Sequence, residues 1–159
     1  MSDTRIRASL ATDVLKDDHR RVRKLFEDYE RLGDDDERYE LFSRIQRELT
    51  RHAAIEDEIF YPAVEAVGNG KELVEEAREE HRRVKMTLEE LAGLIPSFEA
   101  FHATMRVLRG DVELHAEAEE DEMFPLFDTL GRDEQESVSE KLAARKRDLS
   151  LEAPETPDE

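Results

Sequence analysis

The chain has 159 residues, no cysteine, 42% charged residues and a formal net charge of -18, which is enough length for one domain with a proper core. Without thiols there are no disulfides, thiolate zinc sites or Cys-bound iron–sulfur clusters. The acidity disfavours nucleic acid and anionic membranes as partners. No signal-peptide core or bilayer-length apolar run is present, so a cytoplasmic location is expected.

Residues 1–10 read as a flexible N-terminal arm, after which Thr12 or Asp13 can cap a first helix. Leu15, His19, Val22, Leu25, Phe26, Tyr29 and Leu32 then recur at helical spacing until Gly33. Asp34 to Glu37 resembles a capping box, and Leu41, Phe42, Ile45, Leu49, His52, Ile55, Glu56 and Ile59 trace the inner face of a second helix. Pro62 is expected to kink or end it, with the turn closing at Gly68-Asn69-Gly70. A third helix starts near Lys71, carries Leu73, Val74, Ala77, His81, Val84, Leu88 and Leu91, and stops at Gly93. Pro96-Ser97 opens a fourth, with Phe101, Met105, Leu108, Val112, His115, Glu119, Met123 and Leu126 inward and Pro125 as its interruption. Residues 132–150 read as a short C-terminal helix behind Asp133-x-x-Glu136, and residues 151–159 as a disordered acidic tail.

One pattern occurs twice. His52-x3-Glu56-x5-Pro62 returns as His115-x3-Glu119-x5-Pro125, and Asp17-Asp18-His19-Arg20-Arg21-Val22 returns as Glu79-Glu80-His81-Arg82-Arg83-Val84, at offsets of 63 and 62 residues. A helical hairpin has been used twice, so the predicted fold is all-α: an antiparallel, up-down-up-down four-helix bundle over residues 11–131, with the fifth helix appended. His and Glu four residues apart share a helix face. The pseudo-two-fold therefore draws His19, His52, Glu56, His81, His115 and Glu119 toward one level of the bundle.

A single histidine on an apolar stripe is usually a hydrogen-bonded core residue. Here four of five histidines take repeat-related inner positions and two of them share a face with a glutamate. Buried carboxylates without a positive partner cost several kcal/mol. A metal supplies that charge. Glu48 and Asp111, one turn before His52 and His115, are candidates to orient the imidazoles. His102 reads as a bundle-end or surface residue, the Arg-Arg pairs as solvent-facing, and Met86, Met105 and Met123 as packing.

Imidazole and carboxylate suit iron, manganese or zinc. Six ligands exceed one tetrahedral zinc, and with both glutamates bridging, two octahedral ions and a shared oxygen leave about two positions open. Open positions on a redox metal imply O2, peroxide, nitric oxide or a similar small ligand.

The pattern over residues 10 to 130 resembles the hemerythrin-like, or HHE cation-binding, domains. That resemblance implies two iron ions bridged by carboxylates and an oxo or hydroxo group, with His19, His52, Glu56, His81, His115 and Glu119 as ligands, and zinc or manganese as alternatives. Oxygen-carrying members place another histidine where this chain has Ala77, which puts reversible O2 carriage in question and leaves a further position open. Ferritin-like bundles use Glu-x-x-His, absent here because Lys16, Leu49, Arg78 and Val112 stand three residues before the histidines. The expected function is a di-iron protein that binds or reacts with O2, peroxide or nitric oxide in sensing, detoxification or iron and redox homeostasis. One version consumes peroxide or nitric oxide as an enzyme. The alternative is a metal-stabilised regulatory or interaction module without turnover, with a protein partner. The oligomeric state is not legible.

Overall fold

The computed structural model describes residues 10–152 and is helical throughout, apart from short connections. Most of the expected arm, and the tail beyond Glu152, lie outside the described residues. The elements are α1 (Ala11–Arg31), α2 (Asp35–Ile55), a π turn (Glu56–Phe60), α3 (Tyr61–Glu65), α4 (Gly70–Ala92), α5 (Glu99–Ala118), a second π turn (Glu119–Met123), α6 (Phe124–Asp128) and α7 (Arg132–Glu152). The hairpins α1–α2 and α4–α5 pack against each other as an up-down-up-down bundle. Helix α7 lies across α1, α2 and the first π turn. No helix among the described residues is long and apolar enough to cross a membrane.

Local signals account for the helix ends. The Asp34 carboxylate accepts the Asp36 N–H at the start of α2, and Gly93 closes α4. Helix α1 has no side-chain cap of its own. Leu10 precedes it, and the orphan N–H of Ala11 donates to Ser139 Oγ of α7 at 2.8 Å, so the expected cap at Thr12 or Asp13 is replaced by one from across the fold. Helix α5 starts at Glu99, three residues after Pro96. Helix α7, with 21 residues, is as long as α1 rather than short, because Ser139 and Leu142 are buried along it and Val138 and Leu149 pack beside them.

The prolines act differently from expectation. Helical backbone continues past Pro62 and Pro125, and the register change falls one turn earlier, in the π turns. There the N–H of Tyr61 reaches the Glu56 carbonyl and that of Phe124 reaches the Glu119 carbonyl. The wider turn shifts the hydrogen-bond ladder before a residue that lacks a donor. In the first half Arg78 Nη2 donates to the Asp57 carbonyl at 3.4 Å.

The core divides into two apolar clusters. Val22, Phe26, Phe42, Ile45, Leu91 and Phe101 belong to one, and Leu15, Ile55, Phe60, Val64, Phe127 and Leu142 to the other. Each such side chain contributes about 1.5–3 kcal/mol of burial. His19, His52, His81 and His115 stand between the two sets on their helices. Met105 and Met123 are packed as expected, whereas Met86 is exposed.

The turn into α4 is tight. Gly68 has φ +52°, and a Cβ on Gly70 would lie 1.9 Å from the Val64 carbonyl oxygen. Gly70→Ala is therefore expected to destabilise the protein by about 1–3 kcal/mol or more in a urea titration.

Candidate metal centre

Six side chains converge on the layer between the two core clusters. His19 comes from α1, His52 from α2, His81 from α4 and His115 from α5, while Glu56 and Glu119 each open a π turn. They form two groups whose donor atoms lie within 4.8 Å of one another: His19, His52, Glu56 and Glu119, and Glu56, His81, His115 and Glu119. Both carboxylates belong to both groups. His52 Nε2 stands 2.9 Å from Glu56 Oε2, and His19 Nε2 stands 3.2 Å from Glu119 Oε1. On the other side His81 Nε2 is 3.0 Å from Glu56 Oε1, and His115 Nε2 is 3.0 Å from Glu119 Oε2.

Every one of these imidazoles is held from behind. Nδ1 of His52 bonds Asp18 at 2.9 Å, that of His19 bonds Glu120 at 2.8 Å and that of His81 bonds Asp57 at 3.1 Å. Glu80 takes the corresponding place behind His115. An ionised carboxylate only accepts, so Nδ1 carries a proton and Nε2 is the atom turned inward. The supporting acids are therefore Asp18, Glu80, Asp57 and Glu120, not the expected Glu48 and Asp111. Glu48 lies instead 3.7 Å from Arg21 Nη1. The true partners had a sequence signal of their own, because they repeat: Asp18 with Glu80 before the histidines, Asp57 with Glu120 after the glutamates.

Asp18 differs from the other three. It is 3% exposed, and its Oδ1 also accepts from Arg21 Nη1 at 2.9 Å and from Lys146 Nζ of α7 at 2.5 Å. Burial alone would raise its carboxyl, but the hydrogen bond and charge of His52, with Lys146, outweigh it and hold the pKa at about 2. Arg145 ties α7 to Glu58 at 2.8 Å.

The centre is also asymmetric at Tyr61. Its hydroxyl donates to Glu56 Oε1 at 3.0 Å and to Glu119 Oε2 at 2.5 Å, and lies 3.1 and 3.3 Å from Nε2 of His81 and His115. The repeat-related residue is Phe124, which stacks on His19 with ring centroids 6.1 Å apart. On a regular α-helix a residue five positions after Glu56 points elsewhere; the π turn returns Tyr61 to the same side. Burial and the two carboxylates push its phenol well above 10. Ala77 is buried in the apolar cluster that also holds Tyr61. His102 is part-buried and bonds the Tyr29 hydroxyl at 2.6 Å, away from the six.

The donor set fits a hard or borderline cation. His19 Nε2, His52 Nε2, Glu56 Oε2 and Glu119 Oε1 are buried with no hydrogen-bond partner. They supply one atom from each residue of the first group, two nitrogens and two oxygens facing each other. In the metal-free protein the imidazoles compensate the carboxylates. Burial would lower His52, yet the Glu56 charge and the Asp18 hydrogen bond raise it to about 10, and His81 likewise rises to about 9 through Asp57 and Glu56. Glu56 is held well below its ordinary value, because His52, His115 and His81 outweigh the effect of burial.

Fold and site together define a helical bundle with internal His/Glu clusters suited to binding a metal ion. The chain belongs to the hemerythrin HHE cation binding domain family, which matches residues 10–127. It is similar to the crystal structure of a hemerythrin HHE cation binding domain-containing protein from Mycobacterium kansasii, a homologue of Rv2633c. That similarity has a TM-score of 0.82 at 30% identity and covers 92% of this chain and 90% of that one. Rv2633c of Mycobacterium tuberculosis is 32% identical over 142 residues, 87% of this chain and 86% of that protein. A DNA nickase of Nostoc sp. is 30% identical over 136 residues, 84% of this chain, but the match spans only 38% of the Nostoc protein.

Asp18→Ala leaves the His52 imidazole without its anchor, and chelator competition is expected to show about 10–100-fold weaker metal binding. The metal-free protein should also have a particular pH profile. The raised imidazoles of His52 and His81 stabilise the fold fully below their unfolded value of 6.5, and that contribution is lost as pH rises through about 9 to 10. The depressed Asp18 and Glu56 carboxyls stabilise it above their ordinary range and cease to as pH falls through their folded values. Thermal melts of the metal-free form are thus expected to peak in mild acid and decline toward pH 10. Metal loading, which displaces the Nε2 protons, should remove the alkaline decline.

Proposed function

We propose that the chain is a non-haem di-iron protein whose centre binds or reacts with a small molecule of the O2, peroxide or nitric oxide class. The observation that carries this reading is the sharing of Glu56 and Glu119 between two His2Glu2 groups, since carboxylates common to both would bridge two cations. His19 and His52 would complete one position, and His81 and His115 the other. Imidazole–carboxylate sets of this kind favour iron, with zinc or manganese as alternatives. Iron supplies redox chemistry and open coordination positions for a small ligand.

The surroundings support the ligand class. A cavity of about 50 Å³ adjoins the four histidines and is walled by Val22, Phe26, Leu49, Val84 and Val112. The apolar walls and small volume suit one uncharged molecule of a few atoms. Tyr61 lies where the second cation would sit, and its hydroxyl serves as the proton donor that satisfies the carboxylates without metal. With a cation present, the same oxygen is a further candidate ligand, which would take up a position left open by Ala77.

A second reading has an observation of its own. The Nostoc relative contains this unit as 38% of a longer protein described as a DNA nickase. That favours a metal-stabilised module acting on an attached or partner protein without turnover.

The deciding experiment loads the protein with iron under anaerobic conditions and measures metal content, the optical spectrum, and consumption of peroxide and nitric oxide. Two iron ions per chain, with a spectrum that changes on adding O2 or azide, are expected. Turnover places the protein with enzymes, and binding without turnover with sensors or modules. Substoichiometric iron, or zinc retained from iron-sufficient cells, overturns the di-iron reading. Tyr61→Phe is expected to fold and bind metal but to lose any visible band due to phenolate-to-iron charge transfer.

A further inference from the structure

On a chain this heavily charged, the outward face of α5 is unusual. Ala100, Ala103, Val107, Gly110 and Leu114 succeed one another at spacings of three, four, three and four residues. That is the a/d register of a coiled-coil seam. Helix α5 turns Phe101, Met105, Leu108 and His115 into the bundle, and the seam lies on the opposite side. Val107 is 57% and Leu114 67% exposed, and no charged residue interrupts the five positions. Gly110 needs separate explanation. A Cβ there would meet nothing within 4 Å inside the chain, while glycine in a helix interior is destabilising relative to alanine. Glycine is useful where another backbone approaches closely.

We propose that α5 is the interface of a homodimer in which two copies of the helix pair antiparallel about a two-fold axis between residues 108 and 109. The sizes of the seam residues select this arrangement. Antiparallel pairing puts Leu114 opposite Ala103 of a second copy, and Val107 opposite Gly110, so these four layers each match a large residue with a small one, while Ala100 at the end of the seam falls opposite exposed Glu117. Parallel pairing would put Leu against Leu and Gly against Gly, alternating crowding with voids. Charge agrees with size. Exposed Arg106, which has no salt bridge among the described residues, flanks the seam on the side of Glu113. The two-fold brings Arg106 of each copy beside Glu113 of the other. Glu113 already accepts from Arg109 at 2.9 Å, so the contact closes an Arg-Glu-Arg network across the seam. The isologous geometry makes a closed pair rather than a filament.

The absence of cysteine provides a direct test. The wild-type chain is expected to sediment as a dimer at tens of micromolar, with or without metal. Leu114→Glu, an exposed substitution that leaves the bundle intact, should weaken association at least about tenfold. Ala103→Cys and Leu114→Cys proteins should each stay uncross-linked under mild oxidation, because like positions lie about 16 Å apart along the helices. Mixed together, they should form a 103–114 disulfide. A wild-type monomer at those concentrations, Leu114→Glu that dimerises unchanged, or Ala103→Cys that cross-links with itself would each overturn the proposal. None of these outcomes depends on the identity of the metal.

Discussion

Two buried carboxylates govern this molecule. Glu56 and Glu119 sit at the middle of a small bundle, each within reach of imidazoles from two sides, and neither is tolerable there without positive charge. Much else in the structure follows from supplying that charge and holding it in place. Four histidines surround the pair, four further acids fix the outer nitrogens of those histidines, and two of those acids are themselves held by cations, Asp18 by Arg21 and Lys146 and Asp57 by Arg78. At those two places charge alternates outward from the centre.

Most of this was legible from the repeat. Offsets of 62 and 63 residues are invisible to local propensity but decide topology, because a duplicated hairpin has few ways to bury its two apolar faces. The six inner side chains followed from the same pattern, and the structure brings all six together. Sequence reasoning failed where backbone geometry departs from the regular α-helix. Tyr61 carries no sequence signal for the site, because position i+5 faces away on an α-helix and only a π turn returns it there. The orienting acids differ from expectation for a related reason: helical spacing points to an i-4 neighbour on the same helix, whereas Asp18 and Glu80 reach across to His52 and His115 from adjacent helices. Contacts between helices depend on crossing geometry that a one-dimensional spacing does not contain.

The duplication is also less symmetric than its motif. Helix α7 has no counterpart in the repeat, and its main packing is on the first hairpin, against α1, α2 and the first π turn. Through Lys146 it reaches the acid behind His52, while Tyr61, supplied by the first copy, lies beside His81 and His115 of the second. The two candidate cation positions therefore have similar donors in different settings, one buttressed by an added helix and the other adjoining a phenol. Two copies of one hairpin thus present the same candidate donors in different surroundings.

The placement of the polar layer has a consequence for cooperativity. Helices α1, α2 and α4 contribute to both apolar clusters, and α5 reaches the second through the π turn that follows it, but between the clusters lies a slab of imidazole and carboxylate whose cohesion depends on its state of charge. A cation joining the four helices at that level would make opening one cluster require breaking the slab that anchors the other, so that the bundle would open as a single unit. With protons in its place, the slab is held by hydrogen bonds that individual helices could give up separately. The candidate site would then also couple the two ends of the fold.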